Sequence, residues 1–145
     1  MPGIVVGVDD SAHAHRALDW AVREAAARQI PLKVMTVIPT MASPWSGHPL
    51  AVPDAHQVIA RARQETDEAI ATSVSGCADS RPPSITLEVF TGFPSKALID
   101  ASRDADLVVV GSRGSGGFAT LLLGSTSTQV SHHAFCPVVI VPSDR

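Results

Sequence analysis

The chain has 145 residues, 45% of them apolar and 17% charged, with a net charge of −3 at neutral pH. That length fits one domain, residues 1–145, with enough apolar matter for a sizeable core. There is no long basic run, which argues against a nucleic-acid partner, and the apolar runs are far too short for a membrane span. Asp9 and Asp10 interrupt the first apolar run and no basic region precedes it, unlike a signal peptide. Cys77 and Cys136 have no metal-ligand spacing and read as reduced thiols. The expected location is the cytoplasm.

Residues 3–8, GIVVGV, form a short apolar run without polar alternation, as in a strand buried on both faces. Asp9, Asp10 and Ser11 follow, with Ser11 a fair N-cap. Over 13–28, Ala14, Ala17, Leu18, Ala21, Val22 and Ala25 make one helical stripe. Residues 32–38, LKVMTVI, give a second strand, and strand–helix–strand at this spacing implies a parallel pair. Residues 39–53 carry four prolines and read as a long loop. Asp54 and Gln57 resemble a capping pair for a helix reaching about Ser75. Its apolar stripe is thin, so it is expected to face solvent.

Residues 85–90 alternate, as in a strand nearer the sheet edge. Gly92 and Pro94 turn the chain into a third helix with the stripe Ala97, Leu98, Ala101 and Ala105. Residues 107–110 give a fourth strand, residues 125–134 a fourth helix, and PVVIV at 137–141 a fifth strand. The predicted fold class is α/β: a single open five-stranded parallel sheet with helices on both faces, Rossmann-like. Ligands in such sheets sit beyond the carboxyl ends of the strands, where strand order reverses. If the first and fourth strands are neighbours, Asp9 and Gly111 share that crevice.

The stretch LVVVGSRGSGGFATLLLGSTS, residues 107–127, carries the chemistry. Gly111, Gly114, Gly116 and Gly117 fall within seven residues, and Gly124 opens the hydroxyl run Ser125, Thr126, Ser127 and Thr128. Glycines let main-chain amides approach an anion, and a helix starting after Gly124 would aim free amides at the same point. The pattern Gly-x2-Gly-x9-Gly-Ser reads as a two-piece phosphate cradle with Arg113 as its cation. It is neither a Walker loop nor Gly-x-Gly-x-x-Gly. The hydroxyls could equally be ordinary N-caps. Asp9 could accept from a ribose hydroxyl, hold a metal ion, or cap the next helix. Gly7 either leaves room for a sugar or phosphate or permits tight helix packing.

Other chemistries lack their parts. A phosphoacceptor receiver domain needs an Asp after the third strand and a Lys after the fifth; Phe90-Thr91-Gly92 and Val141-Pro142 stand there instead. The six histidines are scattered, no zinc spacing occurs, and Ser125 lacks a base partner. No catalytic residue is assigned.

These residues resemble the universal stress proteins. The resemblance rests on IVVGVDDS (4–11), TGFPSKALI (91–99), DLVVVGSRGSGGFATLLLGSTS (106–127) and CPVVIVP (136–142). The glycine pattern is similar to that of the ATP-holding branch. The resemblance implies strand order 3-2-1-4-5, with Asp9 at the ribose, Gly7 close by, and the backbone of Val37 at adenine. It implies that Gly111, Ser112, Arg113 and Gly114, with Gly117 in the same run, line the ribose and phosphates. Gly124, Ser125 and Thr126 would hold the β- and γ-phosphates of ATP with a divalent ion such as Mg2+. It also implies an antiparallel homodimer through the last strand, Val138 to Val141, which would cover an apolar edge. Asp10 stands where a glycine is common, and Ser115 where a basic residue is frequent; both lower the positive potential around the phosphates. The expected function is a nucleotide-dependent switch in stress response, at most a weak ATPase, since no Walker lysine or evident base is present. The alternatives are an adenylating or ATP-hydrolysing enzyme of a related α/β fold, or a nucleotide-free interaction module.

Overall fold

The computed structural model describes residues 2–9, 14–39, 55–77, 79–112 and 124–142. Five strands form one parallel sheet: β1 (Ile4–Gly7), β2 (Leu32–Pro39), β3 (Ile85–Gly92), β4 (Leu107–Gly111) and β5 (Val138–Val141). Their order is β3-β2-β1-β4-β5, the order expected. The chain therefore reverses direction across the sheet between β1 and β4. Ile4 lies opposite both Leu32 and Leu107, which fixes β1 as the central strand.

Strand alternation splits β1 between two cores. Ile4, Val6 and Val8 join the stripe of α1 (Ala14–Arg28), in which Ala17, Leu18, Ala21, Val22 and Ala25 are wholly buried. Val5 faces the other way, into a cluster with Met35, Leu98, Val108, Val110 and Val130. That cluster lies under α3 (Pro94–Ala101) and α4 (Ser125–His133). Burying both faces explains why β1 carries no polar residue. Each large apolar side chain so buried contributes roughly 1.5–3 kcal/mol.

The helix α2 (Ala55–Ser75) is largely solvent-facing, as its thin stripe implied; Thr66 is its one buried residue among those described. The Thr66 hydroxyl donates to the Ala62 carbonyl at 2.8 Å and lies 3.2 Å from the Thr36 hydroxyl of β2, which pins α2 to the sheet.

Two boundaries differ from the sequence reading by more than one residue. β3 runs on through Thr91 and Gly92 because these pair with Ile38 and Pro39 of an equally long β2. The third helix ends at Ala101, and Ala105 lies beyond it in extended conformation (φ −109°, ψ 152°). The cause is Ser102: its hydroxyl bonds back to the Ile99 carbonyl at 2.5 Å and the chain tightens into a 3-10 turn, Ser102–Asp104. The capping residues Ser11 and Asp54 lie outside the described residues.

Candidate functional site

The carboxyl ends of β1 and β4 are neighbours, and the chain leaves them in opposite directions across the sheet. Asp9 follows Val8, whose N–H donates to the Met35 carbonyl of β2 at 2.9 Å. That bond holds Asp9 at the rim of the sheet. It also orients β2. Main-chain groups of a strand alternate sides every residue, so Met35 and Val37 both turn theirs toward β1. β1 ends at Gly7, opposite Met35, so in the same register the backbone of Val37 lies level with Asp9, just past the end of that strand. Its side chain is buried and unavailable to a ligand.

Gly7 has a packing role. A Cβ on it would lie 2.7 Å from Leu98 Cδ1 and 3.2 Å from Cδ2, and Leu98 is 3% exposed. The room beside Gly7 is thus taken by α3, so of its two readings tight helix packing is the one this contact supports.

The other wall is built from the end of β4. Gly111 pairs with Val141 of β5, and the N–H of Ser112 donates to the Val141 carbonyl at 2.9 Å. The Ser112 carbonyl accepts the Gly124 N–H at 2.6 Å. Strand end and helix start are thereby tied across the intervening chain. Arg113, Gly114 and Gly117 lie outside the described residues, as do Asp10 and Ser115.

The start of α4 is uncapped by any side chain: Gly124 is its N-cap, in extended conformation. Helix geometry leaves the N–H groups of Ser125, Thr126 and Ser127 without an intrahelical partner; the first intrahelical bond runs from Thr128 N–H to the Gly124 carbonyl, 3.0 Å. The hydroxyls do not serve as caps. Ser127 Oγ and Thr128 Oγ1 lie 3.0 and 2.8 Å from that same Gly124 carbonyl. Ser125 is exposed and Thr126 half-buried. Three free amides with the positive end of a helix dipole make an anion-binding end. Ser127, 2% exposed, was not singled out from sequence; its signal was only membership of the hydroxyl run.

No group of three or more His, Cys, Asp or Glu suited to a metal ion occurs among the described residues. No helix among the described residues is long and apolar enough to cross a membrane.

A parallel sheet of this order, reversing between β1 and β4, defines a doubly wound α/β domain, the class in which ligands sit beyond the carboxyl ends of the strands. The universal stress protein family model matches residues 2–142, and the chain belongs to that family. A universal stress protein of Mycolicibacterium smegmatis is 36% identical over 142 residues, covering 98% of this chain and 48% of that protein. The chain thus spans about half the length of the curated relatives it matches. The structure of a universal stress protein from Lactobacillus plantarum superposes with a TM-score of 0.78 at 26% identity, covering 97% of each chain. Another, a universal stress protein in complex with cAMP, gives 0.68 at 26% identity, covering 99% of this chain and 98% of that one.

Proposed function

We propose that residues 1–145 act as one domain that binds an adenine nucleotide, ATP, at the crevice between β1 and β4. The observation that carries this reading is the uncapped start of α4, fastened to the end of β4 by the Gly124–Ser112 bond. Amides 125–127 would take the terminal phosphates, joined by the Gly111–Ser112 turn. Arg113, Gly114 and Gly117 are placed with them on the sequence pattern alone. Asp9 would accept from the ribose hydroxyls, and the backbone of Val37 would meet adenine. The cAMP complex of a 26%-identical family member supports a purine nucleotide at this fold. Mg2+ would bridge the phosphates.

The role is a nucleotide-dependent switch in stress response. The sequence offers no Walker lysine and no evident base, so turnover would be slow or absent. A homodimer through Val138–Val141 suits the geometry: β5 is an edge strand, and three of its four apolar side chains are only half-buried. The two free cysteines fit the reducing cytoplasm.

The test is nucleotide analysis of the supernatant from heat-denatured protein, followed by titration with ATP and assay of its hydrolysis. Bound or bindable ATP with few turnovers per hour is expected. Many turnovers per minute would make the protein an enzyme, and no binding of any adenine nucleotide would leave an interaction module.

A further inference from the structure

We infer that Ser127 is a positioning residue for the phosphate-facing end of α4. The inference rests on the reading of that end as the site for the nucleotide phosphates. Ser127 is buried, and its Oγ lies 3.0 Å from the Gly124 carbonyl and 3.4 Å from the Ser112 carbonyl. Both acceptors belong to the junction between β4 and α4. Ser112 stands just past Gly111, the last residue of β4 in the ladder with β5. Its carbonyl takes the Gly124 N–H, with the Ser127 hydroxyl as a second approach. A hydroxyl has one proton, which Ser127 gives to one carbonyl or the other. Given to Gly124, it braces the N-cap within the first turn; given to Ser112, it runs from that turn back to the strand end.

This reverses ordinary capping. A capping hydroxyl accepts from the amides of the first turn and uses them up. At α4 the N-cap is a glycine, and the hydroxyls of Ser127 and Thr128 donate backwards to a carbonyl one turn away. The amides of 125–127 are thus left for an outside anion while the turn that carries them is held in place. Ser127 touches no phosphate in this arrangement. It sets the direction in which the amides point.

The experiment uses the full chain and compares ATP with adenosine, which lacks phosphates. In Ser127→Ala, ATP affinity is expected to fall about fivefold, the size of one net hydrogen bond, with adenosine affinity unchanged. Exchange of the Gly124 amide, followed by NMR, is expected to quicken by a similar factor while amides of β1 and β2 keep their rates. ATP affinity within twofold of wild type, or equal losses for ATP and adenosine, would overturn the inference. Should Ser127→Ala fail to fold, Ser127→Thr keeps the hydroxyl; a wild-type ATP-to-adenosine ratio is expected, and a fivefold lower ratio would overturn it. Wild-type protein that binds neither compound refutes the nucleotide reading itself. The Gly124 exchange rate then decides for Ser127 alone: faster in Ser127→Ala supports positioning, unchanged overturns it.

Discussion

Ser112 donates its N–H to the carbonyl of Val141 at 2.9 Å, so the residue that follows β4 is bound to the last residue of the edge strand β5. Its own carbonyl receives Gly124, at the start of α4. One residue therefore stands between the proposed dimer edge and the proposed phosphate site. Linkage makes any coupling reciprocal. Saturating ATP is expected to change the dimer dissociation constant, measured by sedimentation equilibrium, by the same factor by which dimerisation changes ATP affinity. A factor of about five to a hundred is the usual scale of such coupling. A dissociation constant identical with and without ATP would show that Ser112 transmits nothing.

Gly7 and Leu98 make a second pair whose energetics can be measured. Gly7→Ala places a methyl 2.7 Å from Leu98 Cδ1 in a packed layer. Destabilisation of about 1–2 kcal/mol is expected, the usual cost of modest overpacking. Adding Leu98→Val should recover part of that loss by freeing the contested volume. Denaturant unfolding of both single variants and the double variant measures the coupling. Strict additivity would mean that Leu98 is not what confines Gly7.

Ser102 is 1% exposed; its hydroxyl donates to the Ile99 carbonyl and accepts the Phe135 N–H at 2.9 Å. It thus joins the end of α3 to the residues leading into β5. Ser102→Ala removes both bonds and strands a part-buried N–H. A loss of about 1–3 kcal/mol is expected by thermal or denaturant unfolding. The Arg103 guanidinium, 3.9 Å from the centre of the Phe135 ring, is an exposed cation–π pair, and Arg103→Ala should cost no more than about 1 kcal/mol.

Cys136 offers a pH-dependent readout. Burial pushes its thiol pKa up, and the Asp106 carboxylate adds to this, while a hydrogen bond from the Val108 backbone opposes it. The folded protein therefore keeps this proton more tightly than the unfolded chain. The associated stability is complete below the ordinary thiol pKa and is lost as pH climbs above it. Alkylation of Cys136 by iodoacetamide at pH 7.5 (about the usual assay pH) should be slower than that of a free thiol, and should still be rising with pH where a free thiol has levelled off. Peptide mapping by mass spectrometry gives the rate, and a rate equal to that of a model thiol would contradict the assigned environment.

Much of the fold was legible in the sequence because burial on both faces leaves an unbroken apolar run. The runs at β1, β4 and β5 could hardly be anything else, and the stripe of α1 names the residues that are buried. The adjacency of β1 and β4 was a condition of the crevice reading that only the family resemblance supplied, and the sheet has it. What stayed hidden depended on partners distant in sequence. Thr91 and Gly92 look like a turn until the length of β2 is known. Gly7 could serve a ligand or a helix, and only Leu98, ninety-one residues on, separates the two. At the site, the hydroxyl run pointed to the start of α4, but hydroxyl identity does not give direction. Ser127 and Thr128 donate backwards to Gly124 instead of capping forwards, a difference set by the geometry of the turn.

The most direct measurement is an ATP titration of the isotope-labelled chain, followed amide by amide in a 15N–1H correlation spectrum. Saturable shifts are expected first at Ser125, Thr126 and Ser127, with Gly111, Ser112, Asp9 and Val37 moving in step and the far ends of the strands still. A spectrum unchanged at millimolar ATP, or shifts confined to residues away from the carboxyl ends of β1 and β4, would contradict the assignment of the crevice to a nucleotide.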